Sequence, residues 1–211
     1  MKTITNKVRG ALVVLAAVAA CSVASRPAHA QVIFSDNFNL GVTGLNFNAF
    51  PNWTVTNGTV DLIGSGFFDF YPGNGQYVDL DGTSNNAATF STSSSFSLGA
   101  GTYQLSFLLG KNGGGTESMT VGVGSAFTET ISNSGPIPTF QTIVRNFSVG
   151  AGGVTVPIVF DHAGGDGAGF VIDNVTLTQL TAVPEPGTMA LMVGPAALLL
   201  GGMVVRRRRA A

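Results

Sequence analysis

Three things are scarce in this 211-residue chain. There is one cysteine, Cys21, so no intrachain disulfide can form and a multi-thiolate metal site is excluded. Between Gln31 and Ala182 the only cations are Lys111 and Arg145. They stand against ten carboxylates, namely Asp36, Asp61, Asp69, Asp79, Asp81, Glu117, Glu129, Asp161, Asp166 and Asp173. The resulting balance of −8 is concealed in the whole-chain value of −1, because the other basic residues sit near the two ends. Two cations cannot neutralise a phosphate backbone, which excludes nucleic acid as a partner. Helical periodicity is the third shortage. From 31 to 182 no apolar pattern holds a 3.6-residue period over three turns, and Lys and Glu are few. Also missing are an internal repeat, a G-x-S-x-G, an H-E-x-x-H and an EF-hand loop.

Hydrophobic length is concentrated at the C-terminus. Val183-Pro184-Glu185-Pro186-Gly187 is a kinked tether in which neither proline can donate a backbone hydrogen bond. Thr188 to Val205 carries no charge. As a helix at ~1.5 Å per residue it covers about 27 Å, enough to cross a hydrocarbon core of roughly 30 Å. Arg206, Arg207, Arg208 and Arg209 follow at once, and such a cluster stays on the cytoplasmic side. The bulk of the protein is therefore expected to face away from the cytoplasm.

Pro184-Glu185-Pro186, the apolar helix and the terminal arginine run together resemble the PEP-CTERM sorting signal of Gram-negative bacteria. The resemblance implies recognition by an exosortase, transient residence in the inner membrane, and delivery of the mature form to the envelope or extracellular matrix. The alternative is a plain tail anchor with a proline hinge.

The N-terminus agrees with export. Lys2, Lys7 and Arg9 form a basic region, Gly10 to Ala20 is an apolar run too short to span, and Ala28-His29-Ala30 is an A-x-A site for signal peptidase. Val18-Ala19-Ala20-Cys21 competes as a lipobox, which would lipidate Cys21. Cleavage after Ala30 removes the cysteine altogether. The chain thus divides into a signal peptide (1–30), a folded domain (31–182) and a sorting segment (183–211).

Within the domain, short apolar runs alternate with Gly, Asn and Ser. Val32-Ile33-Phe34 leads a first strand, and Asn57-Gly58 between Trp53-Thr54-Val55 and Thr59–Ile63 predicts a hairpin. Gln76 to Gly82 alternates, with Val78 and Leu80 on one face and Tyr77, Asp79 and Asp81 on the other. Thr89 to Leu98 reads as one strand, and Tyr103, Leu105, Phe107 and Leu109 share a face of the next. Met119, Val121 and Val123 continue the alternation, and Phe127–Ile131 and Phe140–Val149 read as strands. Pro157 interrupts Val154–Phe160, predicting an edge strand or a bulge. In the last strand Phe170 and Ile172 share one face but Val175 and Leu177 the other. The phase switch at Asp173-Asn174 predicts a bulge or two covered faces.

About ten such strands with Gly-rich turns predict an all-β antiparallel sandwich. The order Phe34–Phe38, Tyr77–Leu80, Gly101–Phe107 and Ile172–Val175 resembles the galactose-binding-like jelly rolls of extracellular bacterial proteins. Folds of this class bind sugars, bind Ca²⁺ structurally, or only display a surface. The resemblance implies a Ca²⁺ site joining the first and last strands, which here brings Asp36 and Asp173 forward. Both can equally cap turns.

Sugar binding calls for flat aromatics with polar groups beside them. Trp53, Phe68, Phe70, Tyr71 and Tyr77 are the candidates, near Asp69, Asn74 and Gln76, although an aromatic in a sandwich is usually core. The leading expectation is a non-catalytic surface or matrix protein associated with exopolysaccharide. The alternatives are a dedicated carbohydrate-binding module and a secreted carbohydrate-active enzyme using Asp79 and Asp81 as acid and base. His162 reads as a surface loop residue.

Overall fold

The computed structural model describes residues 30–182, Gly114 apart. The signal peptide up to His29, Pro184–Pro186, the apolar helix and the four arginines lie outside the described residues. Ala30–Ala182 is one compact unit. Among the described residues there is no helix, as the missing periodicity required.

Thirteen strands follow in order: β1 Gln31–Asp36, β2 Trp53–Thr56, β3 Asp61–Gly64, β4 Gln76–Asp79, β5 Thr89–Thr92, β6 Phe96–Leu98 and β7 Gly101–Lys111. Then come β8 Glu117–Val123, β9 Phe127–Asn133, β10 Gln141–Val149, β11 Val154–Val156, β12 Ile158–His162 and β13 Phe170–Ala182. Sheet one runs β10-β7-β13-β4-β3, with β1 also on β13, and sheet two runs β2-β5-β12-β8-β9. The eight strands β4, β5, β7, β8, β9, β10, β12 and β13 pair β4 with β13, β5 with β12, β7 with β10 and β8 with β9, all antiparallel. That rolled-up pairing of successive strands is jelly-roll order.

Alternation works as read in β7, whose Tyr103, Leu105, Phe107 and Leu109 are buried between the sheets. At the centre Trp53 and Phe90 stack with ring centroids 4.5 Å apart, and Phe38 and Phe50 pack onto Phe90. Each aromatic pair of this kind is worth about 0.5–1.5 kcal/mol beyond its buried area.

Three strand expectations are corrected by the structure. Asn57-Gly58 does not close a hairpin: β2 pairs with β5 and β3 with β4, so the chain changes sheets there. Thr89–Leu98 is two strands, β5 in sheet two and β6 in a separate pair with β11. Pro157 marks neither an edge nor a bulge but the break between β11 and β12, and β12 is central in sheet two. A strand can end at a proline without losing a ladder bond, and the next amide, Ile158 N–H, donates to Thr92 Oγ1 at 3.1 Å. β4 is covered on both faces. Its outer face carries a second cluster, Ile63, Tyr71, Tyr77 and Val171, with Phe67 and Phe140 against it.

Asp79 and Asp81 are buried as a result, 1 % and 0 % exposed. Asp79 accepts Asp81 N–H at 3.1 Å and Asn112 Nδ2–H at 2.8 Å. Asp81 Oδ2 accepts three successive backbone amides, from Gly165, Asp166 and Gly167, at 2.8–3.2 Å. Gly164 lies so close that a Cβ there would fall 2.3 Å from Asp81 Oδ2. His162 is buried too, not a surface residue, because Nε2 accepts Phe170 N–H at 3.1 Å under the folded 163–169 loop. Its neutral imidazole therefore carries its proton on Nδ1, and burial pulls its pKa down.

Desolvation pushes the Asp79 carboxyl up to about 8. Its folded pKa thus lies above its unfolded one, so its stabilising contribution is present in acid and lost as pH rises towards 8. We predict that this loss lowers stability between pH 6.5 and 8; protonation of His162 in the unfolded chain, centred at ~6.5, is common to the Asp79→Asn variant and cancels from the comparison. In Asp79→Asn the slope should be shallower by about 1 kcal/mol per pH unit. Urea unfolding at the two pH values measures both; equal slopes would refute the assignment.

Candidate functional site

The loop joining β3 to β4, residues 65–75, holds the most exposed aromatic side chains of the sandwich. Phe68 is 57 % and Phe70 45 % exposed. Water does not favour that display, and three features hold it in place.

Tyr77, on β4, points its hydroxyl up under the loop. It accepts the N–H groups of Phe70 and Tyr71, the latter at 3.0 Å, and donates to Asp69 Oδ1 at 3.0 Å. Burial and the Asp69 carboxylate together push its pKa up, so it remains a phenol. Tyr71 folds inward: its ring stacks on Phe140 at 4.2 Å, and its hydroxyl donates to Ile137 O at 2.7 Å and accepts Lys111 N–H at 2.6 Å. The ring lies directly on Gly110 of β7, where a Cβ would come within 2.6 Å of it. Lastly, Gly64 and Phe67 exchange both backbone bonds, and Ser65 N–H donates to Gly75 O at 3.0 Å.

Phe68 adopts φ 45°, a left-handed conformation uncommon for a bulky residue and costly without support. Its ring meets Phe67 edge-on at 4.9 Å. Asp69, half-buried and flanked in sequence by the two exposed phenylalanines, also accepts Gly66 N–H through Oδ2 at 3.1 Å. The segment 39–45 is stitched alongside, since Gly41 N–H donates to Gln76 Oε1 at 2.8 Å and Gln76 Nε2 donates to Val42 O. Val42 and Leu45 of this segment are exposed as well.

Of the aromatics put forward for sugar binding, Phe68 and Phe70 are available to a ligand. Trp53, 2 % exposed, is not: its faces are occupied by the aromatic core and its Nε1–H is taken by Asp36 at 3.1 Å. Tyr71 and Tyr77 are buried supports of the loop rather than contacts. Gln76 is buried and fully engaged, whereas Asn74 is exposed. Asp79 and Asp81, the pair considered for acid–base work, are both buried and bonded to groups of the protein.

Asp36 and Asp173 are brought together. Asp36 ends β1 and pairs with Val175, on the far side of a bulge between Asp173 and Thr176. Asn174 takes φ 50° at that bulge, the re-aiming that the phase switch predicted. Desolvation, and the Asp36 charge beside it, push Asp173 up to about 7 against the bond from Asn174 N–H. Asp36 accepts Phe38 N–H at 2.9 Å, Asn52 Nδ2–H at 3.0 Å and the Trp53 indole. Two adjacent carboxylates suit a hard cation. Among the described residues no set of three or more His, Cys, Asp or Glu ligands forms, and both carboxylates also accept donors from the protein.

What the sequence reading missed is a polar layer around Glu117 and Lys111. Lys111 Nζ donates to the carbonyls of Gly115, Asn133 and Gly135. Burial raises the Glu117 pKa, and its Oε2 lies 3.8 Å from His162 Nε2. Isolated polar letters in Gly-rich loops carry no periodic signal, so only the closure of β7, β8 and β12 assembles them.

No family model matches the chain, and no curated protein does. Solved structures do. One is the Clostridium thermocellum endo-1,4-β-D-xylanase 10B with its carbohydrate-binding and catalytic modules, complexed with xylohexaose; identity is 14 %, coverage 73 % of this chain and 29 % of that one, TM-score 0.47. The xylan-binding domain of a Paenibacillus barcinonensis xylanase is similar at 12 % identity, covering 75 % of this chain and 100 % of its own, TM-score 0.44. The C-terminal carbohydrate-binding module of a laminarinase from Zobellia galactanivorans shows 14 % identity, 69 % and 98 % coverage, TM-score 0.42.

Proposed function

We propose that this chain is an exported, non-catalytic surface or extracellular-matrix protein that associates with exopolysaccharide through the loop 65–75. The reading of its activity is carried by the exposed pair Phe68 and Phe70 on a loop braced from below by Tyr71 and Tyr77. An aromatic face offers a sugar ring a flat apolar partner, and a braced loop loses little entropy when it binds. Sorting through the PEP-CTERM signal rests on the sequence of the two ends, including the signal-peptidase site and the exosortase motif Pro184–Pro186. Ca²⁺ enters the proposal as a structural ion shared by Asp36 and Asp173.

Three measurements test these parts separately. Sedimentation of the full chain, in a neutral detergent, with a panel of polysaccharides should show retention by at least one polymer. Replacing Phe68 and Phe70 by alanine together should weaken it about tenfold or more, equal to ~1.4 kcal/mol, with an unchanged melting temperature. Undiminished binding by the double variant would remove the loop from the reading.

Deleting Pro184 to Pro186 should leave the precursor in the inner membrane, read by fractionation and blotting. Normal release of the deletion would defeat the sorting proposal. For the ion, Ca²⁺ at ~100 times its dissociation constant should stabilise the fold by about 2.7 kcal/mol. Asp173→Asn should abolish most of the rise in melting temperature. Identical melting in EDTA and excess Ca²⁺ would leave Asp36 and Asp173 as turn-capping acids.

A further inference from the structure

The cations of the sandwich are all engaged internally. Lys111 is buried, with its ammonium group held by three carbonyl oxygens. Arg145 forms a fork with Glu129 across the sheet edges, Nη2 to Oε1 at 2.9 Å and Nε to Oε2, and Nη1 donates to Val144 O at 3.0 Å. His162 is buried, and one ring nitrogen accepts a backbone amide. Among the described residues, therefore, no lysine, arginine or histidine is left over to meet an anionic ligand.

The surface charges that remain are carboxylates, with Asp161 and Asp166 exposed and Asp69, half-buried, between Phe68 and Phe70 in the sequence. Each Asp69 oxygen accepts one bond from the protein, from Tyr77 Oη–H and from Gly66 N–H. An ionised carboxylate has about four acceptor sites. Asp69 therefore keeps acceptor capacity beside Phe68 and Phe70 in the same loop, and that capacity calls for hydroxyl donors.

Resting on the carbohydrate reading above, we infer that the ligand of this loop is an uncharged, hydroxyl-rich polysaccharide, and that carboxylated or sulfated polymers are rejected. A polyuronate would bring a negative charge within a few ångströms of Asp69, inside the Debye length of about 8 Å at physiological salt. Like-charge juxtaposition in a contact costs several kcal/mol and discriminates between otherwise similar partners. A neutral chain instead offers C–H faces to the rings and O–H groups to the carboxylate. With no ion pair formed, its binding is insensitive to salt.

Native affinity electrophoresis of the full chain in neutral detergent decides the matter, with EDTA present and gels containing xylan, a mixed-linkage β-glucan or a polyuronate. The expected result is retardation by an uncharged polymer, unchanged between about 50 and 500 mM NaCl, a range that shortens the Debye length roughly threefold. The polyuronate should give no retardation, and the Phe68, Phe70 double alanine variant should migrate freely in every gel. Retardation by the polyuronate, in EDTA or only on adding Ca²⁺, overturns the inference while leaving carbohydrate binding intact. Free migration of the unaltered chain in all three gels, together with no retention in sedimentation, overturns the carbohydrate reading itself.

Discussion

β13 has to satisfy two different partners along one edge, and most of the sandwich is arranged around how it does so. Its first residues pair with β4, at Val171 and Ile172, and its later ones with β1, from Val175 onwards. The bulge between Asp173 and Thr176 separates the two pairings. One extra residue also shifts the side-chain phase, so Phe170 and Ile172 before it and Val175 and Leu177 after it all enter the same core. Without the shift, two of the four would have been turned to the outer face. The same bulge buries Asp173 beside Asp36.

Burial on both faces of β4 sets the second constraint. A carboxylate withdrawn from water needs donors, and Asp79 and Asp81 obtain theirs from Asn112 and from the backbone of the 163–169 loop. The glycines of that loop leave room for the amides to converge. An acid–base pair in a glycosidase must reach a bound substrate, whereas Asp79 ties the end of β4 to Asn112 after β7 and Asp81 ties it to the loop leading into β13. Asp79 and Asp81 are buried and bonded within the protein, whereas Phe68 and Phe70 of the 65–75 loop are exposed.

Around that loop both tyrosines are buried, Phe67 is partly buried, and Phe68 and Phe70 are exposed. Tyr71 and Tyr77 have a polar tip that can be satisfied inside, so they bury their rings and spend the hydroxyl on backbone groups of the loop and of β7. Phe68 and Phe70 have no such tip, yet they are the ones left outside. This inverts the usual preference of phenylalanine for the core, and the positive φ at Phe68 shows that the fold sustains a costly backbone to maintain it.

Much of this was legible in the letters. Alternation in β7 and β8 shows which side chains enter the core, since a two-residue period is a property of the strand itself. The bulge shows in the letters as a phase change at Asp173-Asn174, whereas Asp36 and Asp173 come forward only through the jelly-roll resemblance. What the letters did not contain was the third dimension of loops and sheets. Asn57-Gly58 has hairpin chemistry, but the flanking strands joined different sheets because their apolar faces close the core from opposite sides. Trp53, Tyr71 and Tyr77 could not be told from Phe68 and Phe70, because exposure depends on what packs above a ring, not on the ring's neighbours in sequence. Composition and patterning determined an acidic, all-β domain; only tertiary packing decided which aromatics meet solvent and that both cations of the domain are already taken, since hydrogen bonds and burial are made between segments far apart along the chain.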